Sequence, residues 1–257
     1  MSVPSTPCPV CAGYGWSVLH TIKAWRILAC AHCGFAQIDP FPAPTSRAEF
    51  YSSAAIETRA VERTRTLGAR ITARVRHWLR RLSGRTKGTI LLRELERRVP
   101  VGSTLLDIGC GSGAVLRLAR ERYHCTGIEI SSDLAAQARA LGTAVEVGDF
   151  SDHAFGAQRF NAITMVSLIE HLRDPVLALR RCHALLNAGG VLILKTVNHG
   201  GINRRLLGAS WSGYRPPDHL IYFAPDTLRR ALQQIGFVAI TFRIPLFNDS
   251  FYCYARK

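Results

Sequence analysis

Over the second half of the chain, short apolar runs alternate with segments whose apolar residues recur every three to four positions. The runs fall at 104–108, 125–130, 144–148, 160–167, 190–197, 237–244 and 250–255. Helical periodicity fills 113–122, 132–141, 175–187 and 226–235. Strands that alternate with amphipathic helices build a mostly parallel sheet covered on both faces. The last two runs are separated only by "PLFND", residues 245–249, which is too short for a crossover helix. They must pair as an antiparallel hairpin. The expected fold class is therefore α/β, Rossmann-like, with a seven-stranded sheet over residues 101–257.

The first hundred residues follow a different pattern. "WSVLHTIKAWRILA" has strand-like content and suits a hairpin, and "DPFPAPTS", residues 39–46, is a Pro-rich boundary. Residues 47 to about 98 read as helices, broken near Ser83-Gly84 and Gly88. This divides the chain into a small module at 1–40, a linker with basic helices at 41–100, and the main domain at 101–257.

Cysteine spacing changes the picture of the small module. Cys8-x-x-Cys11 is followed, after eighteen intervening residues, by Cys30-x-x-Cys33. Two such knuckles aim four sulfurs at one tetrahedral centre, so a structural zinc ribbon is expected, closed to substrate. The first residues carry no secretory pattern, which favours zinc over disulfides and a cytoplasmic location. His32 is expected at the surface. Cys110, Cys125, Cys182 and Cys253 follow no metal spacing and read as small core residues.

Charge adds less. The formal net charge is +15, and Arg59 to Arg98 holds thirteen Lys or Arg against three Glu. Such a balance suits an anionic small molecule or RNA, but it also describes an ordinary solvated helix face. No apolar run reaches the ~20 residues of a membrane span, so no membrane partner is expected.

The chemistry is concentrated in "TLLDIGCGSGAVLRLA", residues 104–119. Read from Gly109 it is G-x-G-x-x-A, a permitted dinucleotide fingerprint. Read from Asp107 it is D-x-G-x-G-x-G, a nucleoside loop preceded by an acid. Glu129, twenty residues past Gly109, can accept both ribose hydroxyls in either case. Asp107 and Asp149 tip the balance, because three acids repel a pyrophosphate but tolerate a cationic sulfonium.

The same segments resemble, in order, the motifs of class I S-adenosylmethionine-dependent methyltransferases. "LLDIGCGSG" is similar to motif I, "GIEIS" (127–131) to the second-strand motif, and "GDF" (148–150) to the third-strand acid. "ITMVSLIEHLRDP" (163–175), "LLNAGGVLILKTVN" (185–198) and "PPDHLIYFAPDTLRRALQQIGF" (216–237) resemble the later segments of small-molecule members of the ubiquinone-biosynthesis type. The resemblance implies S-adenosylmethionine contacts at Asp107, Gly109, Gly111, Gly113, Glu129, Ile130, Asp149, Phe150, Val166 and His171. It also implies that Tyr51 reaches the methionine end. A general base is expected among residues beyond the strand ends, with His219 first, His171 second and Tyr222 beside them; Glu170 and His199 are weaker candidates.

The expected reaction is O- or C-methylation of a small molecule, such as an anionic metabolite or a natural-product or sugar intermediate. Deoxysugar C-methyltransferases share an N-terminal zinc-binding domain but usually carry a further C-terminal one. A zinc-ribbon RNA methyltransferase is the second reading, although "SLIEHL" lacks the Asn/Asp-Pro-Pro-aromatic signature of enzymes that methylate nucleobase amines. A cofactor-binding or interaction protein without turnover is the third.

Overall fold

The computed structural model describes residues 4–42, 87–245 and 248–257. Two compact units divide the chain: Met1–Ala43 with Ala157–Lys257, and Pro44–Gly156.

The Pro44–Gly156 unit holds α1 (Lys87–Glu96), β4 (Thr104–Ile108), α2 (Ala114–Ala119), β5 (His124–Glu129), α3 (Ser132–Arg139) and β6 (Ala144–Val147). The three strands are parallel, with Ile108 opposite Ile128 and Glu129 opposite Val147. Cys110, Leu116, Ala135, Ala138 and Val145 close the core around the half-buried Cys125. The Ser131 hydroxyl caps α3 by accepting from the Leu134 amide at 3.4 Å, which serves one of the helix's unpaired first-turn donors. Gly88, expected as a break, lies in the first turn of α1. Most of the expected basic helices, Tyr51 included, lie outside the described residues.

In the other unit, β7 (Phe160–Val166) leads through a 3-10 turn at Ile169–His171 to α4 (Pro175–Leu185) and β8 (Leu186–Val197). Then come α5 (Ile202–Leu207), β9 (Ile221–Tyr222), α6 (Pro225–Ile235), β10 (Val238–Arg243) and β11 (Ser250–Arg256). Asp174 caps α4 through the Leu177 amide at 2.8 Å, and Pro175 begins it where no amide is needed. β7 and β8 are parallel, and β11 is antiparallel to both β8 and β10. The seven-stranded sheet runs β10-β11-β8-β7-β4-β5-β6. The expected α/β architecture is therefore present, hairpin included.

A second sheet lies in the same unit. β1 (Trp16–Ile22), β2 (Trp25–Cys30) and β3 (Ala36–Asp39) form an antiparallel meander. β9 joins it as the fourth strand in the order β1-β2-β3-β9. Neither β3, β9 nor α5 is expected from periodicity. With four, two and six residues they are too short to display a period.

Candidate active site

The glycine loop follows β4 directly. Gly109 and Cys110 both donate to the Ile128 carbonyl, at 2.8 and 3.2 Å, which bends the chain across the end of β5. Gly109, Gly111 and Gly113 all adopt positive φ, the left-handed region that favours glycine. Their roles differ. A Cβ on Gly111 would meet nothing within 4 Å, so open space lies over the backbone there. A Cβ on Gly113 would stand 2.8 Å from Leu141 Cδ1 and 3.0 Å from Ala138 Cβ, so this glycine lets the start of α2 approach α3.

Glu129 ends β5 and is buried. One carboxylate oxygen accepts from the Gly111 amide at 2.8 Å and the other from the Ser131 amide at 3.0 Å. The acid is thereby fixed beside the open stretch of the loop, and each oxygen keeps a further lone pair for a ribose hydroxyl. Ile130 follows, half-buried, and the Gly148 amide donates to the Glu129 carbonyl. Asp149 accepts from the Ser151 amide at 2.8 Å, and the ring of Phe150 is buried against Phe155. Asp107 is buried at the end of β4. The Cys110 thiol is pushed up to about 12, first by burial, then by the charges of Asp107 and Glu129. The loop therefore sits in a negative field. That donor set and that field fit a cationic nucleoside such as S-adenosylmethionine and oppose a pyrophosphate.

Four cysteines converge at the other end of the chain. Cys8 and Cys33 Sγ lie 3.6 Å apart, as do Cys11 and Cys30, and all four sulfurs lie within 4.8 Å of one another. A tetrahedral centre with Zn–S of about 2.3 Å requires S···S edges of about 3.8 Å, so the cluster has the dimensions of such a site. No disulfide forms among the described cysteines. His32 instead points its Nε2 at the Tyr14 carbonyl, at 2.7 Å. Cys110, Cys182 and Cys253 are buried and Cys125 half-buried, in keeping with core roles.

The expected base candidates come together beyond β7 and β8. Val166 ends β7, and the turn that follows carries Glu170 and His171. The Thr196 hydroxyl donates to the buried Glu170 carboxylate at 2.8 Å. His171 Nδ1 lies 2.7 Å from the Asp218 carbonyl, and its ring meets that of His219 edge-on at 4.9 Å. His219 is 1% exposed. Its Nδ1 lies 2.8 Å from the Gly213 carbonyl, while Nε2 accepts from Arg215 Nε at 3.1 Å. A guanidinium only donates, so Nε2 bears the lone pair and Nδ1 the proton. Tyr222 is wholly buried and donates to the His219 carbonyl at 3.0 Å, and burial pushes its phenol well above the usual range. One ligating atom each from Glu170, His171 and His219 also lies within 4.8 Å of the others.

One group exceeds what the sequence displays. His199 Nε2 lies 2.9 Å from the Tyr214 hydroxyl, and its ring packs against Trp211, Tyr214 and Tyr222. Burial, then the charges of Arg204 and His20, push its pKa down to about 3. Asp249 frames the cluster by accepting from Trp211 Nε1 at 2.9 Å, Ser212 Oγ at 2.6 Å and Asn203 Nδ2 at 3.0 Å. The sequence signal for Trp211 and Tyr214 was weak, since aromatics in a loop carry no spacing.

A methyltransferase domain family matches residues 68–241, more than half of the chain. The chain belongs to that family. Its fold is that of a class I S-adenosylmethionine-dependent methyltransferase. Curated relatives include a ubiquinone biosynthesis O-methyltransferase from Coxiella burnetii, 32% identical over 117 residues, covering 42% of this chain and 50% of the relative. Another, from Xanthomonas axonopodis, is 34% identical over 112 residues, covering 40% of this chain and 46% of the relative. The chain thus spans about half the length of the curated relatives it matches. Among solved structures, a magnesium protoporphyrin IX methyltransferase from Synechocystis with bound SAH superposes with a TM-score of 0.60 at 15% identity, covering 82% of this chain and 98% of that one. An S-adenosylmethionine-dependent methyltransferase from Thermotoga maritima gives 0.55 at 19% identity, covering 73% and 97%. At these identities the structures speak for the fold of this methyltransferase domain alone.

Proposed function

We propose that the protein transfers a methyl group from S-adenosylmethionine to oxygen or carbon of a small molecule, and that its four-cysteine cluster holds a structural zinc ion. The three segments 1–40, 41–100 and 101–257 belong to this reading as ribbon, basic linker and catalytic domain. The observation that carries it is the Glu129 carboxylate, fixed by two backbone amides beside the open Gly111. The ubiquinone-type relatives support a small-molecule acceptor.

S-adenosylmethionine supplies an activated methyl on a sulfonium that leaves as a neutral thioether. Glu129 receives the ribose hydroxyls, Asp149 and Phe150 frame the adenine, and Gly109 and Gly111 let the backbone approach the nucleoside. Asp107, Gly113 and Ile130 line or shape that site, and the contact expected of Tyr51 lies outside the described residues. What remains for the protein is alignment and, where the acceptor is acidic, removal of its proton. His171, His219 and Tyr222 form the acceptor wall, and the base is one of the two histidines. His219, neutral with its lone pair on Nε2, takes a proton there once Arg215 yields the contact; Tyr222 positions the loop.

The test is methyl transfer from labelled S-adenosylmethionine to a panel of phenols, acids and sugar nucleotides, and separately to total RNA. Label in the small-molecule fraction is the expected outcome, and label in RNA alone would overturn the proposal. With an acceptor in hand, His219→Gln or His171→Gln should lower turnover at least tenfold and remove the acidic limb of the pH–rate profile, with cofactor affinity unchanged. If both variants turn over as the parent does, alignment alone carries the reaction.

A further inference from the structure

We infer that the four-cysteine module is the support of the acceptor wall, so that metal held by Cys8, Cys11, Cys30 and Cys33 sets the order of the loop carrying His219 and Tyr222. The inference rests on the zinc reading above and adds a consequence for catalysis.

The path from metal site to wall is short. The second knuckle ends at Cys33, and β3 begins three residues later. The Cys30 amide donates to the Phe35 carbonyl at 2.8 Å, tying the knuckle to the start of that strand. β3 then pairs with β9, Ala36 opposite Tyr222 and Gln37 opposite Ile221. The Ile38 amide donates to the Leu220 carbonyl at 2.9 Å. Phe35 and Phe223, both wholly buried, meet at 5.0 Å between ring centroids. From β1, His20 packs edge-on against Tyr214 at 5.5 Å.

A two-residue strand has no stability of its own. β9 exists because β3 offers it an edge. The opposite side of the segment is held by the Leu220 amide, which donates to the Glu170 carbonyl at 2.7 Å, and by the Phe223 carbonyl, which accepts from the His199 amide at 3.0 Å. The wall is thus strung between the ribbon and the loops after β7 and β8. A module of about forty residues cannot sustain a fold by burial alone and depends on its metal. When the metal leaves, the β3 edge is lost and β9 with it. Phe35 and Phe223 act here as positioning residues.

Hydrogen exchange on the full-length protein tests this as purified, after chelation, and after zinc is restored. Amides of residues 219–223 should exchange about tenfold or more faster without metal and recover with it. Those of β4 and β5 should hold their protection. In zinc-loaded protein, Phe223→Ala should loosen residues 219–223 and, by reciprocity, weaken zinc affinity in equilibrium competition with a chelator. Phe223→Leu should restore both. Stoichiometric zinc with exchange at 219–223 indifferent to it would overturn the inference and leave the zinc reading intact. A protein that takes up no zinc defeats the zinc reading and this inference together. Protection lost equally in every strand also overturns it, because the metal would then support the whole fold.

Discussion

Single side chains carry two measurable consequences. Glu129 holds the Gly111 and Ser131 amides, so truncation removes both the proposed ribose acceptor and the order of the loop. Glu129→Ala should weaken S-adenosylmethionine binding by about 1–3 kcal/mol, measured by calorimetry, and unchanged affinity would contradict the assignment. His199 gives a pH signature. Its pKa falls from an ordinary 6.5 to about 3 in the folded chain. Between those values the unfolded chain binds the proton and the folded chain does not, so stability rises with pH across that window. Each unit of separation is worth roughly 1.4 kcal/mol, a few kcal/mol in all. Acid should therefore destabilise the parent progressively below about pH 6.5. Denaturant titrations of His199→Gln across pH 3–7 should show a shallower slope, and an identical slope would mean that another group governs acid lability.

At the scale of elements, the glycine loop is where local sequence and packing meet most closely. Gly113 begins α2 at a φ of +83°, and a Cβ there would press on Leu141 and on the Ala138 backbone. Gly113→Ala should cost about 1–3 kcal/mol through strain and overpacking, seen as a lower thermal midpoint in the absence of any ligand. The same substitution at Gly111 meets open space, so its cost is backbone strain alone and should be the smaller of the two. The strands and helices of the sheet were legible because each is long enough to show a period of 2 or 3.6. β9 was not: Ile221 and Tyr222 read as part of a loop, and only the edge of β3 makes them a strand.

For the molecule as a whole, the alternation of runs and the short final hairpin gave the mostly parallel sheet and its antiparallel end, while the strand order β10-β11-β8-β7-β4-β5-β6 came from the structure. The four-cysteine cluster was legible as a zinc-type spacing, while the structure brings the two knuckles together, Cys8 beside Cys33 and Cys11 beside Cys30. The proposed acceptor wall was legible only in part. His171 and His219 stand forty-eight positions apart in sequence yet meet ring to ring. Asp249, near the C-terminus, orders Trp211 and Ser212. The formal charge of +15 selected neither RNA nor metabolite, because net charge reports attraction and not chemistry.

By itself the sequence determined the features that arise within a few residues of chain. These are the glycine turn at 109–113, the acid closing β5, the paired knuckles and the alternation that makes the sheet. Local backbone sterics and side-chain periodicity suffice for each. Only the tertiary structure decided that the ribbon's third strand would take residues 221–222 as its neighbour. It also decided that His199, Trp211 and Tyr214 would form one buried cluster, and that Arg215 would donate to His219. Those contacts join segments whose spacing along the chain carries no period. They form because the folded chain brings unpaired strand edges and apolar rings together and buries them.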